Sequence, residues 1–192
     1  MKQNKYHVIT TFYNVENYIK DCINSVKSQN YKNYVFHLFD DCSTDKTTSH
    51  IVEDTQTILY KSDVRKTALE NIVHVLQNYK FSPDDIIVLL DGDDMLLHNR
   101  VFDKLNSIYK DSTMLTYGQH VTSDGRFGFC RDYTEDEFEN IRTTGWYFSH
   151  LRTFRYSLWT KLVDLDPDLS FLKDDKGEFY KITYDVALFC LC

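Results

Sequence analysis

Glycine and proline are scarce in this chain, with 6 and 2 among 192 residues, and no glycine occurs before Gly92. That excludes collagen-like and proline-rich linker architectures. It also leaves no glycine-rich phosphate loop near the first strand. No stretch approaches the roughly 18 uncharged apolar residues of a membrane-spanning helix. The polar start, Met1 to Tyr6, runs directly into Val8-Ile9 and does not read as a signal peptide. Positive charge is in deficit, 22 Lys and Arg against 29 Asp and Glu for a formal charge of −7, which argues against a nucleic-acid partner. The five cysteines, Cys22, Cys42, Cys130, Cys190 and Cys192, are odd in number and scattered. They read as reduced thiols in a cytoplasmic protein rather than a disulfide framework. Cys190-x-Cys192 has no second pair at zinc-ligand spacing. What is abundant is core material: 42% hydrophobic residues, with 14 Tyr and 13 Phe. A chain of this length can bury a real core within one domain.

The first 95 residues alternate between two periods. Tyr6 to Thr11, Tyr34 to Phe39, Ile58 to Tyr60 and Ile86 to Leu90 read as strands. Between them, Tyr18, Ile19, Cys22, Ile23 and Val26 fall at helical spacing behind Asn14 as a candidate cap. Ser43 or Thr44 is positioned to cap a second helix carrying Ile51 and Val52, and Thr67 to Tyr79 is helical in period. Alternation of this kind predicts an α/β fold, a mainly parallel, Rossmann-like sheet flanked by helices. After residue 95, His98 to Lys110 predicts a helix and Met114 to Tyr117 a strand. The segment from Gly125 to Trp146 has no clean period; Phe154 to Leu162 and Thr183 to Cys192 predict helices.

In parallel sheets ligands bind outside the carboxyl ends of the strands. Two of those ends here are acidic: Asp40-Asp41 and Asp91-Gly92-Asp93-Asp94. Three carboxylates in four residues repel one another unless a hard divalent cation such as Mg²⁺ or Mn²⁺ offsets them. Without a cation the same string is an ordinary solvated acidic turn. A carboxylate at the Asp40-Asp41 end can accept hydrogen bonds from a base N–H or a ribose hydroxyl, and Tyr13 after the first strand can stack on a base. Asp164-x-Asp166-x-Asp168 opens like a calcium loop, but Leu169 and Asp175 stand where that loop requires Gly and Glu, so it reads as a polar loop.

Taken in order, Val8-Ile9-Thr10-Thr11-Phe12-Tyr13-Asn14, Tyr18-Ile19, Ser25-Val26 with Gln29, Asp40-Asp41-Cys42-Ser43-Thr44-Asp45 and Asp91-Gly92-Asp93-Asp94 resemble family 2 glycosyltransferases, which have the GT-A fold. Cys42 stands where glycine is common in that family. The match covers about residues 6 to 97, half of the chain. The resemblance implies that Thr11 and Tyr13 line the nucleotide base, that Asp41 bonds a uracil ring, and that Arg65 lies near the base and phosphates. It implies that Asp91 and Asp93 form an Asp-x-Asp motif which, with Asp94 beside it, reaches the sugar and holds Mn²⁺ or Mg²⁺ against the diphosphate. It also implies a catalytic base at Asp185, with Tyr184 where glutamate is frequent; by position alone Asp185 reads first as a helix cap. His150-Leu151-Arg152-Thr153-Phe154 with Trp159 matches a subset of the family, and a lone histidine such as His150 reads first as a structural residue.

The expected architecture is a single domain over residues 1–192, a nucleotide-sugar half at 1–97 and an acceptor half at 98–192. The expected activity is inverting, metal-dependent transfer from a nucleotide-diphosphate sugar, UDP-linked by preference, to a hydroxyl of a glycan or other acceptor. Two alternatives stand beside it: a metal-dependent nucleotidyltransferase, against which the missing glycine loop weighs, and a non-catalytic nucleotide-sugar-binding module. The apolar pattern through Phe189-Cys190-Leu191-Cys192 has no terminating residue. It leads to the expectation of an acceptor side completed by further chain or by a second copy.

Overall fold

In the computed structural model, residues 3–110, 112–141, 143–182 and 184–189 are described, with the backbone alone at 184, 185 and 187. Six strands form one sheet: β1 Tyr6–Phe12, β2 Tyr34–Asp40, β3 Thr57–Lys61, β4 Ile86–Leu89, β5 Leu115–Gly118 and β6 Ser149–Arg155. Their spatial order is β3-β2-β1-β4-β6-β5. β1 is central and pairs in parallel with β2 and β4, while β3 extends the parallel part beyond β2. Every residue of β1, β2 and β4 is buried, as expected for strands covered on both faces.

One cover is α1 Ile19–Lys27, which buries Ile19, Cys22, Ile23 and Val26, together with α3 Val101–Ile108. These meet Tyr6, Val8 and Phe12 of β1, the period-2 partners of one strand face. The other cover is α2 Ala68–Asn78, α5 Tyr156–Leu165 and α6 Tyr184–Phe189, packed against Ile9, Phe39, Ile87 and Phe154. Thr67 caps α2 by accepting a hydrogen bond from the Glu70 amide at 3.1 Å. A short helix, α4 Glu135–Glu139, lies in the aperiodic stretch, and Asp166 accepts from the Ser170 and Phe171 amides in the polar loop after α5. No helix among the described residues is long and apolar enough to cross a membrane.

Three expectations from the sequence are corrected. Asn14 does not cap α1, which begins at Ile19 after Tyr18; it sits at φ 53° with its side chain turned to the neighbouring loop. Ser43 and Thr44 cap no second helix. The chain makes only a 3-10 turn at Thr47–His50, because the two hydroxyls are engaged by the Asn14 amide and side chain. Phe154 belongs to a strand, with α5 starting at Tyr156. β6 escapes a hydropathy reading because two of its buried polar side chains, Arg155 and Thr153, are satisfied inside the fold. The Arg155 guanidinium donates to the Thr113, Lys110 and Asp84 carbonyls at 2.8, 2.9 and 3.3 Å. Thr153 Oγ1 shares 2.7 Å hydrogen bonds with Tyr109 and Thr116.

Candidate active site

The parallel strands β1, β2 and β4 all point their carboxyl ends to one edge, so the residues that follow them meet in space though spread over some 80 positions. A cleft of about 980 Å³ opens there. Thr11, Tyr13, Asp41, Arg65, Asp91 and Asp93 all line it.

The loops after β1 and β2 are tied to each other. Asn14 Oδ1 accepts from the Thr44 and Asp45 amides at 2.8 and 3.3 Å, and the Asn14 amide donates to Ser43 Oγ at 2.9 Å. The Val15 amide donates to Thr47 Oγ1, the Glu16 amide to Asp45, and the Lys46 amide to Glu16. Asn14 and Cys42 both take left-handed backbone angles, φ 53° and 66°, to make this junction. The clasp sets Tyr13 and Asp41 in fixed relation.

Asp41 is held from the other side by the loop before α2. Its Oδ1 accepts from the Lys66 amide at 2.8 Å, and Arg65 Nε lies 3.9 Å from Oδ2. The Arg65 guanidinium lies over the Tyr13 ring, 3.7 Å from the ring centre. Asp40 accepts from the Ser43 amide at 2.9 Å and so belongs to the turn rather than to the cleft. The N-terminus of α2, with Lys66, Thr67, Ala68 and Glu70, completes this wall, Lys66 Nζ pairing with Glu70 at 3.1 Å.

The acidic turn after β4 closes through the Asp94 amide and the Asp91 carbonyl, 3.0 Å apart. Gly92 is required by the packing: a Cβ there would stand 2.5 Å from Phe12 Cβ. Cys22 lies beneath, its thiol 3.8 Å from the Asp91 carbonyl and pushed up to about 12 by burial, with Asp94, Asp91 and Asp93 adding to the effect. Burial also raises the Asp94 carboxyl above its ordinary range, with the charges of Asp91 and Asp93 in the same direction and His150 opposing.

His150 was not assigned to the site by sequence reasoning. β6 runs antiparallel to β4 with Leu89 opposite Arg152, so the start of β6 runs toward the turn that follows Leu89. Its Nδ1 lies 3.4 Å from Asp94 Oδ2. One ligand atom each from Asp91, Asp94 and His150 lies within 4.8 Å of the other two. Two carboxylates and an imidazole are a donor set that fits a divalent cation. Asp93 is exposed and stands outside this triangle.

A further wall was also missed. Gly177, Glu178, Phe179 and Lys181 face the cleft from a turn in which Asp174 Oδ1 accepts from the Lys176 and Glu178 amides. A polar loop without period carries no signal of where it folds back. Asp185 lies in the first turn of α6, but its side chain is outside the described residues, as are Cys190 and Cys192.

A family model described as Glycosyl transferase family 2 matches residues 7–172, and the chain belongs to that family. No curated protein matches the chain. Among solved structures it is similar to the mannosyltransferase PcManGT from Pyrobaculum calidifontis in complex with GDP-Man and Mn²⁺, at 16% identity and a TM-score of 0.62 over 84% of this chain and 47% of that one. It is similar to S. aureus TarS 1–349, at 19% identity and a TM-score of 0.61 over 90% of this chain and 52% of that one. TarS 1–349 in complex with UDP-GlcNAc gives 18% identity and a TM-score of 0.62, over 84% and 47%. These likenesses establish the GT-A fold. The chain spans about half the length of each of them.

Proposed function

We propose that this chain carries the donor site of an inverting glycosyltransferase. The donor is a nucleotide-diphosphate sugar, UDP-linked by preference, and the acceptor is a hydroxyl of a glycan or other molecule. The observation that carries the reading is the cleft itself, which Thr11, Tyr13, Asp41, Arg65, Asp91 and Asp93 line from the ends of four strands. The complexes of PcManGT with GDP-Man and Mn²⁺ and of TarS with UDP-GlcNAc support a donor of this class.

Each residue then has a task that its chemistry permits. Tyr13 offers a ring face to the base, and Asp41 an acceptor for a base N–H. Arg65, Lys66 and the α2 N-terminus attract the diphosphate. The turn Asp91-Gly92-Asp93-Asp94 reaches the donor sugar and would hold Mn²⁺ or Mg²⁺, here through Asp91, Asp93 or Asp94. Such a cation supplies positive charge against the diphosphate leaving group. Asp185 would take the proton of the acceptor hydroxyl as its oxygen attacks the anomeric carbon.

The test is a thermal-shift series with UDP, UDP-GlcNAc and GDP-Man, each with and without Mn²⁺. A ligand at 100 times its dissociation constant stabilises by about 2.7 kcal/mol, so a nucleotide-diphosphate sugar with Mn²⁺ raises Tm. If none does, the donor-site assignment fails. Asp185→Asn is expected to lower transfer about 10²- to 10⁴-fold with donor binding unchanged. Binding without transfer or hydrolysis in the unaltered chain would instead favour a non-catalytic module.

A further inference from the structure

The Asp-x-Asp string by itself suggests that its two carboxylates, Asp91 and Asp93, share the ion. The geometry differs. Asp93 is exposed, whereas Asp94 is half-buried and faces an imidazole brought in by a strand that starts 55 residues later in the chain. We infer that the divalent cation of this site is held by Asp91, Asp94 and His150, with His150 as a nitrogen ligand that favours Mn²⁺ over Mg²⁺. The inference rests on the donor-site reading above and narrows its metal centre.

Three observations carry it. First, the donor atoms are positioned by two hydrogen-bonded neighbours. β4 and β6 pair antiparallel as far as Leu89–Arg152, so the first residues of β6 run toward the turn that follows β4. His150 is thus carried by the sheet, and Asp91 and Asp94 by a turn closed between the Asp94 amide and the Asp91 carbonyl, as a preformed site requires. Second, two carboxylates, Asp91 and Asp94, bring a ligand atom each to within 4.8 Å of one imidazole. A doubly charged ion offsets both. Third, Asp91 belongs both to the triangle and to the cleft lining, so an ion at the triangle adjoins the space proposed for the donor.

The ring's other nitrogen has a neighbour that matters. Arg152 Nη2 lies 3.4 Å from His150 Nε2, so Nδ1 is the ring nitrogen turned toward Asp94. The chemistry then sets the preference. Mg²⁺ takes oxygen ligands and gains little from an imidazole, whereas first-row ions such as Mn²⁺ accept nitrogen and carboxylate oxygen together.

The experiment is pulsed electron paramagnetic resonance of Mn²⁺ bound to the full chain, alone and with UDP. A directly coordinated imidazole gives a nitrogen modulation of the Mn²⁺ echo. Protein carrying ¹⁵N-histidine shifts that modulation to the ¹⁵N pattern without any substitution. His150→Gln is expected to abolish it, and His120→Gln, in the neighbouring ring, to keep it. His150→Gln should also weaken Mn²⁺ by at least the roughly 10- to 100-fold that follows loss of an outer-shell partner. Its effect on Mg²⁺, read by competition, should stay under about 3-fold. Bound Mn²⁺ with no histidine nitrogen coupling overturns the inference while leaving the donor-site reading intact. A modulation that survives in His150→Gln overturns it equally. No bound Mn²⁺ even with UDP overturns both this inference and the metal dependence proposed above; nucleotide stabilisation without metal would then still support the donor cleft.

Discussion

The Arg65 guanidinium stacks on the Tyr13 ring at 3.7 Å while its Nε faces Asp41 Oδ2 at 3.9 Å. One side chain thus bridges the two residues assigned to the base. The Arg65 side chain is 61% exposed and Asp41 10%, so the arginine is the movable member and the carboxylate the fixed one. On the proposed reading, a base entering the cleft would compete with Arg65 for the Tyr13 face and leave the displaced guanidinium beside the phosphates. Removing the ring should therefore cost nucleotide affinity. Base–aromatic stacking is worth about 1–3 kcal/mol, so Tyr13→Ala is expected to weaken UDP roughly 5- to 150-fold by titration calorimetry. Tyr13→Phe keeps the ring face and should bind within about 2-fold of the parent. Equal losses in both variants would mean that the hydroxyl, not the ring face, is what the ligand uses.

Cys42 bears a left-handed backbone, φ 66°, next to Asp41. For a residue with a Cβ that conformation costs about 1–2 kcal/mol, part of which glycine returns as lost chain entropy. Cys42→Gly is expected to raise stability by about 0.5–1 kcal/mol, or roughly 1–4 °C in Tm for a chain of this size. Cys42→Val should lower it. The Cys42 thiol also lies 3.7 Å from the Asp63 carbonyl. A fall in Tm for the glycine variant would show that this contact outweighs the strain.

Gly92 admits no side chain without a shift, since Phe12 Cβ lies 2.5 Å from the position a Cβ would occupy. Phe12 is a buried core residue of the central strand, so the turn rather than the core has to give way. Overpacking of this kind costs about 1–3 kcal/mol. Gly92→Ala should lower Tm and, by shifting Asp91 and Asp94 together, weaken Mn²⁺ binding as well. An unchanged Tm would show that the turn accommodates the methyl group.

A buried relay on the α2 side of the sheet sets the acid limit. Tyr60 donates to His37 Nδ1 at 3.1 Å, His37 Nε2 to His7 Nδ1 at 3.0 Å, and His7 Nε2 to Asp85 at 3.1 Å, which leaves both rings neutral. Burial lowers both imidazoles from 6.5 to about 3, with Lys5 adding to it for each and His7 adding to it for His37. In the unfolded chain the same rings take up protons near 6.5. The unfolded state is therefore the one that protonates first as the pH falls. The contribution of these rings is fully present above about pH 6.5 and is lost progressively toward pH 3. Two protons set an upper slope of about 2.7 kcal/mol per pH unit. Urea denaturation between pH 7 and 4 measures the loss, and NMR of the His7 and His37 rings should show no titration above pH 5 in the folded protein. Titration of either ring near pH 6 would contradict the relay.

The parallel half of the fold was legible in the sequence, for a physical reason. Strands buried on both faces need nearly every residue apolar, and Ile86-Ile87-Val88-Leu89 or Val35-Phe36 and Leu38-Phe39 write that need directly into the chain. The position of the cleft was legible too, because parallel strands deliver their carboxyl ends to one edge whatever the details of their loops. Thr11, Tyr13, Asp41, Arg65, Asp91 and Asp93, named from the family resemblance, all line it. The loop from Asp41 to Thr47 was misread because a Ser or Thr hydroxyl that can cap a helix can equally bond a neighbouring loop. That choice depends on a partner 30 residues away.

Only the tertiary structure decided the rest. His150 and Arg152 lie on a strand whose polar residues look like surface by composition. Antiparallel pairing with β4 brings the strand's first residues to the acidic turn and makes His150 a neighbour of Asp94. The turn bearing Phe179 and Lys181 reaches the cleft through chain geometry that no local pattern encodes. A sequence determines which segments must be buried, through hydrophobic period; it determines which polar groups meet only through the packing of those segments. In this protein the first rule set the sheet and its ligand edge, and the second brought His150 to the carboxylates.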